Sequence, residues 1–260
     1  MELESISVDM KAVGKVLRLG RILRDDGRTL VVAMDHGMGG TTGGIEDIVD
    51  VVRKMIEGGA DAVMVNLGAV RRIAEKFAGK ISIVLTIPFD PKYVELAAKL
   101  GVDAVKTTYF GAVPLSEEKY NQFSSIARAC EDWEMPWMAE VVPVDGERKI
   151  IYDVEMVKKA ARIGSELGGD LVKTAYTGTV EEYNKIVRSC LTPIVVMGGP
   201  KMENIKDVLQ MVKNSVEAGA AGGAIGRNIW QHTSPEKMAK AISSIIHENI
   251  SVEKALKMLE

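Results

Sequence analysis

Eight short apolar runs rich in β-branched residues recur along the chain. Each is followed by a break of small or polar residues and then by a longer segment with helical periodicity. The runs are TLVVAMDHG (29–37), DAVMVNLG (61–68), ISIVLTIPF (81–89), DAVKTTYFG (103–111), PWMAEVVP (136–143), DLVKTAYTG (170–178), TPIVVMGG (192–199) and AGGAIGRN (221–228). Between them lie amphipathic stretches such as IEDIVDVVRKMIEGG and VEMVKKAARIGSELGG, several closed by glycine, a common helix stop. Strands that are apolar throughout cannot leave a face in water, and strands that alternate with helices pair in parallel. Eight such units in 260 residues fit a (β/α)8 TIM barrel better than an open doubly wound sheet. No Pro- or Ser-rich linker interrupts the pattern, so residues 1–260 are expected to form a single domain. Residues 8–24 are expected to add an extra N-terminal helix that closes the bottom of the barrel, and residues 234–259 to supply the last one or two helices.

Two of the units nearly repeat each other. GVDAVKTTYFG (101–111) and GGDLVKTAYTG (168–178) are identical at seven of eleven positions. Shared Gly, Asp and Val residues follow from the common packing demands of a βα unit. The shared lysine does not, because an ammonium inside a strand costs free energy when it is desolvated.

Functional side chains in such a barrel gather where strands end and βα loops begin. The polar residues fall there: Asp35 and His36 after the first strand, Lys106 after the fourth, Glu140 on the fifth and Lys173 after the sixth. Strands four and six are both even-numbered, so Lys106 and Lys173 are expected on one level of the interior. A lysine among Leu171, Val172 and Ala175 is partly desolvated, and a second ammonium nearby acts in the same sense, favouring the neutral amine that attacks a carbonyl. The chemistry this suggests is Schiff-base formation, with an iminium as electron sink for carbon–carbon bond cleavage or formation. The other reading of a lone strand-end lysine is one that snorkels to solvent or holds a phosphate.

The runs MGGPK (197–201) and GGAIGRN (222–228) are glycine-rich turns after strands seven and eight, where such barrels most often bind phosphate. Backbone N–H groups and the Arg227 guanidinium would grip the anion. A phosphorylated small-molecule substrate is therefore expected. His247 is expected to be solvated on the final helix, His232 to serve packing or the phosphate loop, and Trp133 and Trp137 to pack beside Pro136.

A formal net charge of −3 offers no basic surface for nucleic acid or an anionic membrane. The longest apolar runs are too short to span a bilayer, and the first residues lack a signal-peptide core. Only two cysteines occur, Cys130 and Cys190, without metal-ligand or redox spacing, so a cytoplasmic protein without metal or cofactor is expected.

MDHG (34–37), LVKTAYTG (171–178), MGGPK (197–201) and GRNIWQH (226–232), in this order, resemble the archaeal-type class I fructose-bisphosphate aldolases. That family also includes the 2-amino-3,7-dideoxy-D-threo-hept-6-ulosonate synthases of aromatic amino-acid biosynthesis and autoinducer-2 processing enzymes. The resemblance runs from GKVLRLGRIL to the C-terminus. It implies that Lys173 is the Schiff-base lysine of a metal-independent lyase, that Asp35 is an active-site carboxylate, and that Gly198, Gly199, Gly226 and Arg227 hold a substrate phosphate. It also implies a homo-oligomer, a pentamer or a decamer built from pentamers.

Two departures stand out. The family carries Tyr-Pro-Arg-Gly after strand five, with the tyrosine as acid/base, where this chain has Val142-Pro143-Val144-Asp145-Gly146. The connection at IPFDPKY is also shorter than in relatives, which reshapes the pocket. Glu140, two residues before Val142 and therefore on its side of the strand, is expected to replace the tyrosine together with Lys106, which stands where relatives have a small or uncharged residue. The leading expectation is a class I aldolase or transaldolase-like lyase acting on a phosphorylated ketose or related keto compound through Lys173. Two others stay open: the same barrel with Lys106 as nucleophile, and a barrel that binds a phosphorylated metabolite without catalysis.

Overall fold

The computed structural model describes residues 13–40 and 43–260. Eight parallel strands, β1 (Thr29–Ala33), β2 (Ala62–Val65), β3 (Ser82–Thr86), β4 (Ala104–Gly111), β5 (Trp137–Pro143), β6 (Leu171–Thr174), β7 (Ile194–Met197) and β8 (Gly222–Ile225), each pair with the next, and β8 closes on β1. The expected TIM barrel is the fold. Its helices are α1 (Val13–Ile22), α2 (Ile48–Glu57), α3 (Leu67–Phe77), α4 (Lys92–Leu100), α5 (Glu117–Asp132), α6 (Val154–Glu166), α7 (Val180–Ser189), α8 (Ile205–Glu217), the single turn α9 (Arg227–Trp230), α10 (Pro235–Glu248) and α11 (Val252–Lys257). Among the described residues no helix is long and apolar enough to cross a membrane.

Most strands end sooner than their apolar runs, the chain leaving the sheet within the run for the βα loop. After β1, for example, Asp35 leads into a 3-10 turn, His36–Gly39. Strands β4 and β5 are the exceptions: paired to each other, they run to the ends of their apolar runs, Gly111 and Pro143. Lys106 and Lys173 therefore lie inside their strands, each the third residue, and not beyond the strand ends as expected.

Strand alternation sorts the barrel interior into layers. The lower layer is an apolar plug that includes Ala33, Met64, Val84, Ala104, Met138, Leu171, Val195 and Ala224. Helix α1 covers it from below, with Ile22 fully buried and Leu19 and Leu23 packed against it. Of the helix expected over 8–24, residues 13–22 are helical, and residues 8–12 lie outside the described part.

The aspartates of the repeated units hold this lower end together. Asp61 Oδ2 accepts a hydrogen bond from the Leu30 N–H at 2.6 Å, Asp103 Oδ2 from Ile83 at 3.0 Å and Asp170 Oδ2 from Trp137 at 2.9 Å. Each thus ties the start of an even-numbered strand to the strand before it. Their other oxygens pair with Arg24, Arg21 and Lys15, all in or just after α1. The repeat is thereby explained for Asp: three strands present a carboxylate to one basic helix.

His247 belongs to this network and is not the solvated residue expected. Its side chain is buried, with Nδ1 2.8 Å from Asp26 Oδ2 and Nε2 3.0 Å from Asp61 Oδ2. Only an imidazolium donates from both nitrogens at once. Burial pushes its pKa down, but the two carboxylates outweigh it and hold the group above its usual 6.5. Trp133 also departs from expectation, being exposed at the end of α5, whereas Trp137 is fully buried.

A raised folded-state pKa means that the His247 contribution is complete below about pH 6.5 and is lost as pH rises through the folded value. His247→Gln should therefore lower stability most in mildly acidic buffer, with the gap to wild type narrowing toward alkaline pH. Denaturant midpoints across that range measure it, and a pH-independent gap would show that the imidazole acts as neutral packing.

Candidate active site

One pleat above the apolar plug, the inward positions change character. Two residues beyond each plug residue stand Asp35, Asn66, Thr86 and Lys106 on one half of the ring, and Glu140, Lys173, Met197 and Gly226 on the other. All eight line a cavity of about 780 Å³ at the C-terminal end of the barrel, where the βα loops meet. Period-two alternation alone turns a floor of methyl groups into a ring of polar groups.

Four of these side chains form a line of alternating charge. Asp35 Oδ2 is 2.7 Å from Lys106 Nζ, Lys106 Nζ is 2.9 Å from Glu140 Oε2, and Glu140 Oε1 is 2.7 Å from Lys173 Nζ. The register sets this up, because Glu140 is paired with Thr108 on one side and Lys173 on the other. Lys106 sits one pleat below Thr108 and reaches up beside it, donating to Thr108 Oγ1 at 2.6 Å. Thr86 Oγ1 donates to Asp35 Oδ2 at 2.7 Å, and Asn66 Nδ2 to the Asp35 carbonyl at 3.0 Å. Lys106, Glu140 and Lys173 are each no more than 5% exposed.

Burial pushes the carboxyls toward their neutral forms, but the lysine charges outweigh it. Lys106 and Lys173 bring Glu140 down from 4.5 to about 2 and hold Asp35 well below its ordinary 3.8. Burial likewise disfavours the Lys106 ammonium, but Glu140 and Asp35 raise its pKa above 10.5. The expectation of two mutually repelling lysines is therefore corrected. They share a level and both reach Glu140, yet its carboxylate stands between them.

The loops after β7 and β8 build the opposite wall. Arg227 Nη2 donates to the Gly199 carbonyl at 3.1 Å, and its buried Nε has no partner among the described residues. Asn228 ties the two loops together, donating to the carbonyls of Gly198 at 2.8 Å and Pro200 at 3.1 Å. Gly199 needs its φ of +66°, which favours glycine. At Gly226 the requirement is packing: a Cβ would lie 2.5 Å from the Ala33 carbonyl and 2.8 Å from His36 Cε1. His36 lies edge-on to Trp230 and lines the cavity beside Gly226. Burial and the Lys173, Arg227 and Lys106 charges lower its pKa against the pull of Asp35. His232 bonds to Ser234 within its own turn.

Sequence reasoning missed Thr86 and Thr108, the neutral partners of the charged line. Their signal was present, since Thr86 interrupts an apolar run and Thr108 shares the face of Lys106 by alternation.

Residues 29–232 match the model of the DeoC/LacD family aldolases, more than half of the chain. The chain belongs to that family. An uncharacterised aldolase of Saccharolobus solfataricus is 34% identical over 95% of this chain and 100% of its own length. A 2-amino-3,7-dideoxy-D-threo-hept-6-ulosonate synthase of Archaeoglobus fulgidus is 32% identical over 94% of this chain and 95% of its own. Among solved structures, an archaeal fructose-1,6-bisphosphate aldolase whose catalytic lysine is covalently bound to the carbinolamine intermediate superposes with a TM-score of 0.78 at 26% identity. That match covers 89% of this chain and 99% of that one. This DeoC/LacD aldolase departs from the pattern of its resemblance at the top of β5, where fully buried Val142 shares the face of Glu140 one pleat up.

Depressed carboxyl pKa values stabilise the fold only while the carboxyls are ionised. The Glu140 contribution is complete above about pH 4.5 and is lost as pH falls toward about 2, and the Asp35 contribution, complete above about pH 3.8, is likewise lost in acid. In Lys106→Met the two carboxylates lose their shared cation, which should cost about 3–5 kcal/mol near pH 7. The penalty should shrink on acidification as the carboxyls take up protons. Denaturant midpoints of variant and wild type against pH check this, and a penalty that grows in acid would refute it.

Proposed function

We propose that this lyase is a class I aldolase in which Lys173 forms the Schiff base with the carbonyl of a phosphorylated keto compound. The choice between the lysines rests on their acceptors. Lys106 Nζ lies within 3 Å of Asp35, Thr108 and Glu140, so all three of its protons are engaged and no lone pair is presented to the cavity. Lys173 Nζ has Glu140 Oε1 as its one ion-pair partner among the described residues. The archaeal aldolase whose catalytic lysine is covalently bound to the carbinolamine supports a covalent lysine in a barrel of this fold.

In the mechanism this supports, Glu140 takes a proton from Lys173, and the freed Nζ adds to the substrate carbonyl carbon. Glu140 returns the proton to the carbinolamine oxygen, which leaves as water and gives the iminium. During cleavage a base takes the proton of the β-hydroxyl, the carbon–carbon bond pair flows into the iminium to form the enamine, and an aldehyde departs. Glu140, backed by the fixed charge of Lys106, is the group within reach of Lys173 that cycles between base and acid, in the place of the family's tyrosine. The phosphate takes its seat against Gly198, Gly199, Gly226 and Arg227, where a guanidinium whose Nε has no partner among the described residues faces two glycine-rich loops.

Borohydride added with a phosphorylated ketose should attach a reduced adduct to Lys173, located by peptide mass spectrometry, and Lys173→Met should abolish it. An adduct on Lys106 would reverse the assignment. Stabilisation by the ketose without any adduct would favour a binding barrel. Glu140→Gln should lower turnover about 10²–10⁴-fold, and Arg227→Ala should raise KM for the phosphorylated substrate about 10–100-fold with a smaller change in kcat.

A further inference from the structure

The cavity mouth is chemically divided. The arc from β7 through β8 to β1 carries the glycine loops, Arg227 and His36. The opposite arc, from β2 to β5, is walled by Leu67, Ile87, Phe89, Tyr93, Phe110 and Ile150. Among the described residues, the cations lining the cavity are Lys106, Lys173 and Arg227, with His36 when protonated; of these only Lys106 stands on the β2–β5 side, on the floor below the apolar residues, where Asp35, Thr108 and Glu140 engage it. Lys119 holds its Nζ over the Phe89 ring, 4.9 Å from the centroid, donates to Gln122 at 2.7 Å, and is not part of the cavity lining.

This apolar wall is built rather than left over. Phe89 packs on Phe123 at 4.9 Å between ring centroids, and Phe123 meets Trp137 at 5.7 Å. Trp137 is anchored by its Nε1–H to Thr107 Oγ1 at 2.9 Å. Ile150 is carried on a small hairpin in which Val144 bridges Ile150, while Asp145 Oδ1 accepts from the N–H groups of Glu147 and Lys149, both at 2.9 Å. The Ile151 N–H returns to the Pro143 carbonyl at 2.9 Å, closing the hairpin onto the end of β5. A phosphate placed against this wall would lose its water and find as its cation only Lys106 on the floor below, already engaged by Asp35, Thr108 and Glu140.

We propose that the partner joined to, or released from, the Lys173 adduct is an unphosphorylated aldehyde bearing an apolar alkyl or aryl group, seated against Phe89, Phe110 and Ile150. This rests on Lys173 being the Schiff-base lysine, and it places the single phosphate on the ketone half. In the forward step the enamine carbon bonds to the aldehyde carbon and the carbonyl π pair moves to the aldehyde oxygen, which takes a proton. The iminium thus regenerated is hydrolysed by water and frees Lys173. Six apolar side chains match an alkyl or aryl surface as the two glycine loops match an anion.

Dihydroxyacetone phosphate serves as the test donor. First, borohydride trapping with the donor alone reports the adduct on Lys173. Second, initial rates of carbon–carbon bond formation are compared for isobutyraldehyde, benzaldehyde and glyceraldehyde 3-phosphate. The apolar aldehydes should show kcat/KM at least about tenfold above the phosphorylated one. Phe110→Arg should shift that ratio toward glyceraldehyde 3-phosphate by about tenfold or more while the donor adduct persists. Ile150→Arg, on the hairpin, gives the same readout if the first variant does not fold. An adduct on Lys173 with glyceraldehyde 3-phosphate preferred, or with no product from either apolar aldehyde, overturns this inference and leaves the Schiff-base assignment standing. No adduct with the donor overturns that assignment itself.

Discussion

The alternating line Asp35, Lys106, Glu140, Lys173 is the constraint around which the barrel interior is organised. Each inner member has an opposite charge on both sides, so desolvation is met by two partners rather than one. Buried pairs of this kind contribute little net stability, because attraction and desolvation nearly cancel. Their product is position: two carboxylates and two lysine side chains held at fixed distances on a floor closed from below by the apolar plug and α1. The apolar plug, α1 and the basal aspartates serve that floor, since a hole beneath it would hydrate the charges and loosen their order.

Much of this was written in the period of two. In AMD, MVN, VLT, AVK, MAE, LVK, VVM and AIG the first and third residues share a face, so each strand carries one plug residue and one ring residue. Strand positions, the barrel and the convergence of Asp35, Lys106, Glu140 and Lys173 were legible from that pattern. Which lysine is engaged and which is open was not. That depends on Asp35 from β1 reaching Lys106 on β4, a distance in sequence that no local pattern encodes. His247 failed for the same reason, because its partners Asp26 and Asp61 lie near the other end of the chain. The Ile150 hairpin was hidden by polar composition, with GERK reading as an ordinary surface loop.

The change at the top of β5 and the apolar mouth are one feature. Val142 stands in register with Phe110, one pleat above the pairing of Glu140 with Thr108. Val142, buried and paired with Phe110, keeps the top of β5 apolar where a tyrosine would bring a hydroxyl. In the mechanism proposed above, proton transfer comes from below the wall, at the level of Lys173, where Glu140 stands. Neither Glu140 nor Lys106 is tolerable alone in this position. Without Lys106, Glu140 and Asp35 would be two carboxylates sharing a desolvated space with one lysine between them and the cavity. Without Glu140, Lys106 and Lys173 would face each other across an empty pleat. In the proposed mechanism the echo lysine of the repeated unit acts with its glutamate as a single ion-paired device on the polar floor beneath the apolar mouth.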